Sequence, residues 1–486
     1  MSLSRRAVLG AGAAALTGAA FKPPSATARA LPTADDWAAL DASLDGTVAL
    51  PGTSDYDTAR RLIDPRFDRV LPPAVARCAS AADVAEVVRF ARRLRIPVVT
   101  RGGGHSYVGA STAAAGVVLD LRRLDDVRAD AASGTAEIGG GTRLIDVYNR
   151  LGAAGVSIPS GSCGSVGIGG ITLGGGIGMA ASAYGLTCDT VTAADLVGAD
   201  GRLRTVDADR EPDLFWALRG GGGGQFGVVT RWRMRTHRTG TVGTFVLQYP
   251  WTDAARVAAG WQARLLTAGD ETWSSCQFAS DRRGRLSVRI SGVVLDGDPA
   301  PEVEQIARAV GRDPATAKLD RRAHLDVLHD RAGCADAEGC AGRQTELAGS
   351  EIFREVLPET AIAALLATVE RRAQQRRPGL AKLKRLTGAV GRVAPEATAF
   401  PWRGAHTMMQ WLVGLPAGDA ASAPDGYAWI ESGHKAMRRW SAGSYVNYLE
   451  PSPAVLPRYY GPNFARLRWI RTATDPQGLF RSPYAL

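Results

Sequence analysis

The chain has 486 residues, 45% hydrophobic and 22% charged, a globular composition large enough for two cores. After the first thirty positions no apolar run approaches the ~18 residues of a membrane span, which excludes a stable membrane anchor. The net charge of +10 comes from arginines interleaved with Asp and Glu rather than from a stripe or tail, which argues against a nucleic-acid partner.

Residues 1–30 read as a segment apart. Ser4-Arg5-Arg6-Ala7-Val8-Leu9 is a twin-arginine pattern, an Ala/Gly/Leu stretch follows to Phe21, and Ala26-Thr27-Ala28 or Ala28-Arg29-Ala30 offers a cleavage site. The expectation is export by the twin-arginine machinery, which carries folded proteins and so suits a chain that loads its cofactor first. Among six cysteines, Cys334 and Cys340 flank a short polar loop and could pair in an oxidising compartment, whereas Cys78, Cys188 and Cys276 sit among apolar neighbours as small hydrophobes.

Ser80 is the expected N-cap of a helix whose Val84, Val87, Val88, Ala91 and Leu94 recur at helical spacing. Ile96–Thr100 reads as a strand running into Arg101-Gly102-Gly103-Gly104-His105-Ser106. Strands are expected over 117–121 and 135–138, and a helix over 143–152. Gly161 to Gly178 then holds nine glycines in 18 residues, a density that weakens helix and strand alike and suits a backbone approached closely by a ligand. Cys163 lies in this stretch, where free backbone amides would lower a thiol's pKa. Gly176-Ile-Gly178-Met-Ala-Ala also matches a dinucleotide-binding turn with Asp195 downstream, but no clean apolar strand precedes it. From about 240 to 435, strands (244–249, 286–294, 408–413) alternate with amphipathic helices (301–310, 359–374), suggesting a second α+β domain.

Taken together, Arg101-Gly-Gly-Gly-His105-Ser106, Gly161-Ser-Cys163-Gly164-Ser-Val166-Gly167, Gly174-Gly-Gly-Ile-Gly178, Tyr184-Gly185-Leu186 with Asp189, Leu214–Gly220, Tyr445-Val446-Asn447-Tyr448, Tyr460–Phe464 and Asp475-Pro476 resemble the berberine-bridge-enzyme-like FAD-linked oxidases, in order, from about residue 65 to the C-terminus. The resemblance implies an α+β fold: a two-part FAD-binding domain of the vanillyl-alcohol-oxidase/PCMH type, with a substrate domain inserted on an antiparallel sheet covered by helices. The expected boundaries are 31–238 for the first part, 239–438 for the insert and 439–486 for the returning segment. By matching motifs, FAD would be covalently held at its 8α-methyl by His105 and at C6 by Cys163. Arg101, Gly102, Gly103, Gly104, Ser106, Gly164, Val166, Gly167, Gly170, Gly174, Gly178, Val228 and Asn447 would line it.

Tyr448 matches the position that serves as base in several relatives, and with a free pKa of about 10 it needs a cationic or hydrogen-bonding neighbour. Phe400-Pro401-Trp402-Arg403 departs from the family's usual Phe-Pro-His-Arg, and Gln410 stands near where some members have a catalytic glutamate. Trp402, Gln410, Trp411 and Tyr445 are the expected substrate wall, while His406 and His434 read as structural. The expected reaction is oxidation of an alcohol or activated C–H of a small molecule (a sugar, glycoside or secondary metabolite), with O2 as acceptor. A flavin-bearing sequestering protein and a nicotinamide-dependent dehydrogenase are the alternatives.

Overall fold

The computed structural model describes residues 31–452, 456–482 and 486. The twin-arginine stretch and its cleavage site lie outside the described residues.

Two small sheets share one helix. The first runs Thr47–Ala49, Ala74–Arg77, Val117–Asp120, Val98–Arg101, with its last three strands parallel. The second, wholly antiparallel, runs Val127–Asp130, Thr135–Gly139, Val228–Arg235, Val191–Val197, Leu203–Asp207. Helix Ala81–Leu94 begins where Ser80 caps it, its side chain accepting from the Asp83 amide. Its Val84, Val87, Val88 and Phe90 share a core with Leu119, Val197, Val228 and, from the far C-terminus, Leu479 and Phe480. That return is also hydrogen bonded: the Val98 amide donates to Leu479 O and the Arg481 amide to Val98 O, both at 2.9 Å. The last segment thereby extends the sheet edge whose strand leads into His105.

Between Thr241 and Leu415 the chain builds a seven-stranded antiparallel sheet in the order 316–323, 241–249, 286–295, 272–280, 379–385, 407–415, 345–353. Strand alternation divides it into two unlike faces. Phe245, Phe278, Ile290, Leu383, Met409, Trp411 and Val413 point into a core with Trp261 of helix Ala254–Leu265, Leu365 of helix Glu359–Gln374 and Ile430 of helix Ala423–Met437. The opposite face is polar. Across it, Gln248, Arg289, Gln277, Lys382, Gln410 and Ser350 stand in register on successive strands.

One expectation changes here, and one alternative already set aside is absent. The glycine-dense stretch does form a helix, Ile168–Leu173, because Ile168 and Thr172 are buried and the Ile168 amide donates to Thr142 O at 2.9 Å. The dinucleotide turn is absent: that helix, not a strand, precedes Gly176–Gly178. Asp195 is spent within the second sheet on Thr205 and Arg233, at 2.7 and 3.0 Å. Cys334 and Cys340 form a disulfide, and Cys78, Cys188 and Cys276 are buried free thiols.

His434 locks the insert to the returning segment. Its Nδ1 meets Glu351 of the sheet at 2.5 Å and its Nε2 meets Glu450 at 2.7 Å, while Arg458 donates to the other oxygen of Glu351 at 2.9 Å. Burial opposes a charge here, but the two carboxylates win and push the imidazole up to about 10. A raised folded-state pKa means the contribution is complete below the unfolded value of about 6.5 and disappears as pH rises through about 10. His434→Ala should therefore lower stability by about 3 kcal/mol at pH 7. Denaturant midpoints of the two proteins should converge between pH 8 and 10; a gap independent of pH would refute the charged pairing.

Candidate active site

Three glycine-bearing segments, 102–104, 161–170 and 222–227, line a cavity of about 440 Å³ between the small sheets and the polar face of the large one. Two of them touch. A Cβ on Gly103 would collide with the backbone of Gly167, and one on Gly167 with Gly103, so neither position tolerates a side chain. The backbone N–H groups of Gly103, Gly104 and His105 find no acceptor among the described residues. Three successive unpaired amides form an anion-binding concavity, and such a concavity fits the pyrophosphate and ring oxygens of FAD.

Gly102, Ser106, Val166, Gly170, Val228, Tyr445 and Asn447 also line the cavity. Tyr445 Oη accepts from the Gly176 amide at 2.9 Å and from Asn447 Nδ2 at 2.8 Å, and Asn447 donates to Ile171 O at 3.0 Å. Tyr445 thus stiffens the glycine loop as well as walling the cavity.

Six expected residues stand elsewhere. Arg101 is turned away and 1% exposed, because its guanidinium pairs with Asp120 at 3.0 Å and donates to Ala59 O and Arg60 O. Gly164 is packed against the Cys334–Cys340 disulfide, Gly174 against the Asn447 amide and Gly178 against Ser160 O; they let loops close but do not line the cavity. Trp402 lies over Gly443 and Gly461 and donates to Ser444 O at 2.9 Å. Trp411 sits on the helix-covered face of the sheet, edge to face with Trp429 at 5.2 Å. The one-residue step from Gln410 to Trp411 crosses the sheet, so only Gln410 reaches the cavity.

His105 and Cys163 both line the cavity, and His105 Nε2 hydrogen bonds Ser165 Oγ, two residues beyond Cys163, at 2.9 Å. Burial, with Arg143 nearby, lowers the imidazole to about 4, so it is neutral at physiological pH and retains a free ring nitrogen. The Cys163 thiol does not behave as the loop suggests. Burial raises its pKa, the Glu346 charge adds to this, and Lys384 and Lys382 offset only part. Desolvation outweighs the favourable charges.

Among the cavity residues not foreseen are Tyr107, Glu346, Lys382 and Lys384. Lys384 Nζ donates to Tyr448 Oη at 2.7 Å and to Gln410 Oε1 at 2.9 Å. The ammonium also lies 5.0 Å from the Tyr448 ring centroid, and Tyr107 packs edge-on to that ring at 5.8 Å. Burial raises the Tyr448 phenol above its ordinary range, with Cys163 and Glu346 adding to the shift, and lowers Lys384 to about 8. A signal for the lysines was present in the composition. The chain has only five, and two of them alternate on one strand, Leu380-Ala381-Lys382-Leu383-Lys384. Lysine, unlike arginine, can lose its charge when buried.

Residues 72–207 match the family described as FAD binding domain, and residues 444–485 match Berberine and berberine like. An uncharacterized FAD-linked oxidoreductase of Bacillus subtilis, YgaK, is 30% identical over 445 residues, covering 90% of this chain and 96% of that one. This chain belongs to the berberine-bridge-enzyme-like family of FAD-linked oxidoreductases. A xylooligosaccharide oxidase of Thermothelomyces thermophilus is 28% identical, covering 85% of this chain and 87% of that protein. Among solved structures, Physcomitrella patens BBE-like 1 superimposes with a TM-score of 0.82 at 26% identity, over 92% of this chain and 98% of that one. One departure from the family pattern is accommodated without loss of its neighbour: Arg403, next to Trp402, still pairs with Asp189 at 2.5 and 2.8 Å.

Gly103→Ala tests the cradle. Its Cβ meets backbone, which cannot swing aside, so the flavin content of the purified protein should fall at least about fivefold, while an alanine at Gly414, outside the cavity and with open space around it, should leave it within about twofold. Equal flavin absorbance in both variants would count against the close approach as the reason for glycine.

Proposed function

We propose that this chain is an exported oxidase holding FAD through both His105 and Cys163 and oxidising an alcohol or activated C–H of a sugar, glycoside or related small molecule. Held by His105 and Cys163, FAD would supply the hydride acceptor and the route by which the electron pair reaches O2, with hydrogen peroxide as the product. The observation that carries the reading is the Lys384–Tyr448 hydrogen bond inside the glycine-lined cavity. Neutral His105, held through Nε2 by Ser165, keeps the other ring nitrogen free to bond carbon. Cys163 is open to the cavity, and the nearby Lys384 and Lys382 charges favour its thiolate. The xylooligosaccharide oxidase supports an oligosaccharide-like substrate, and the twin-arginine pattern of residues 4–9 supports export after cofactor loading.

The chain's own residues move one proton. Tyr448 takes it from the substrate hydroxyl and gives its phenolic proton to the Lys384 amine, so no free tyrosinate is needed despite the raised phenol. Lys384 must be neutral to accept, which sets a pH limb near 8 on which the rate rises with pH. Gln410 fixes the amine from its other side, and Tyr107 holds the Tyr448 ring.

Acid precipitation followed by peptide mass spectrometry checks the tethers: flavin should remain on peptides containing His105 and Cys163, and each single alanine variant should retain one link. Release of all yellow colour into the supernatant would end the two-tether reading. For the proton path, Tyr448→Phe should slow flavin reduction by about 10²–10⁴-fold. Lys384→Met should remove the pH limb near 8 from the same measurement; a limb unchanged in that variant would exclude Lys384 as acceptor.

A further inference from the structure

The Lys384–Tyr448 couple accounts for one of the two lysines that line the cavity. Lys382 also lines the cavity, two residues back on the same strand and on the same face, about 7 Å farther along. Its ammonium makes no hydrogen bond or ion pair among the described residues. What surrounds it is positive. Lys384 is its neighbour on the strand, Arg289 lies two strands over in the same cross-strand row, and Arg331 comes from helix His324–Ala332. Arg289 is steered toward this row by a 2.6 Å bond to Gln277 Oε1, and Gln277 stands directly opposite Lys382. Glu346 is the only carboxylate among the described lining residues, and its charge acts on Lys384 and Cys163.

A half-buried, unpartnered cation backed by three others is unfavourable unless something anionic completes it. We infer that Lys382 is the binding site for a carboxylate on the substrate, so that the preferred substrate class is a hydroxy acid. The two lysines leave the strand about 7 Å apart, on the scale of one six-membered ring substituted at opposite positions. Hexuronic acids and carboxylated benzylic alcohols have this shape. The inference rests on the proposed use of the Tyr448 end of the cavity and adds the recognition at the other end.

Burial and the positive neighbours Lys384, Arg331 and Arg289 also lower Lys382 to about 7. Binding of an anion favours the protonated amine, so acid binding should weaken as pH rises past 7.

The test uses the purified holoenzyme and follows flavin absorbance during titration with matched pairs: D-glucuronate against D-glucuronamide, and 4-(hydroxymethyl)benzoate against its amide. At pH 6 at least one acid should bind about tenfold more tightly than its amide, which corresponds to one charged hydrogen bond. Lys382→Gln should bring that ratio below about twofold, and Lys382→Arg, which keeps a charge in place and reports on folding, should preserve it. Acid and amide binding equally, no acid perturbing the flavin, or a preference that survives Lys382→Gln would each overturn the assignment. Failure of the tethering reading looks different: flavin would leave on denaturation while the acid preference stayed intact.

Discussion

Removing two amines from water is the constraint around which this cavity is built. A lysine in bulk solvent is a cation at any physiological pH and a poor proton acceptor. Buried on the polar face of the seven-stranded sheet, Lys384 comes down to about 8 and can take a proton from Tyr448, its hydrogen-bond partner. The same desolvation raises the phenol. Burial therefore keeps the phenol protonated and the amine neutral above about 8, so the pair passes a proton on only in concert, Tyr448 giving up its own as it takes one from the substrate. The large sheet makes this burial durable, because its other face is a continuous apolar core with three helices packed on it.

Rigidity on the cofactor side comes from a different source. Glycines let the 102–104 and 161–170 loops meet backbone to backbone, and side chains then pin what glycine leaves loose. Asn447 and Tyr445 hold the loop at Gly176 and Ile171, Arg403 holds Asp189, and the disulfide backs Gly164. Most of these pins come from the C-terminal half of the chain. Flavin site and substrate site are therefore closed by the same returning segment, with His434 between Glu351 and Glu450 as its lock.

Much of the fold was legible. The Ser80-capped helix, the strands near 98–101, 117–120 and 135–139, and helix Glu359–Gln374 follow from periodicity and capping alone. His105, Cys163, Asn447 and Tyr448 were named from motifs and do share one cavity. The failures have common physical causes. Arg101, Gly164, Gly174 and Gly178 belong to motif runs whose members divide between lining a ligand and packing the loop behind it, and adjacency in sequence does not tell the two apart. Trp402 and Trp411 were assigned by proximity to a motif, although alternation along the strand sends Trp411 to the opposite face from Gln410.

Local chemistry along the chain determined the elements and the glycine-rich approach to a phosphate-bearing ligand, because propensity and turn geometry are properties of neighbouring residues, whereas the two residues offered as flavin anchors came from the resemblance of their motifs to a family. The partnership of Lys384 with Tyr448, the isolation of Lys382, and the upward shift of Cys163 were decided only by the tertiary structure. Each depends on which charges are brought together from strands distant in sequence and on how much water is left between them, and neither quantity is written in any short stretch of the chain.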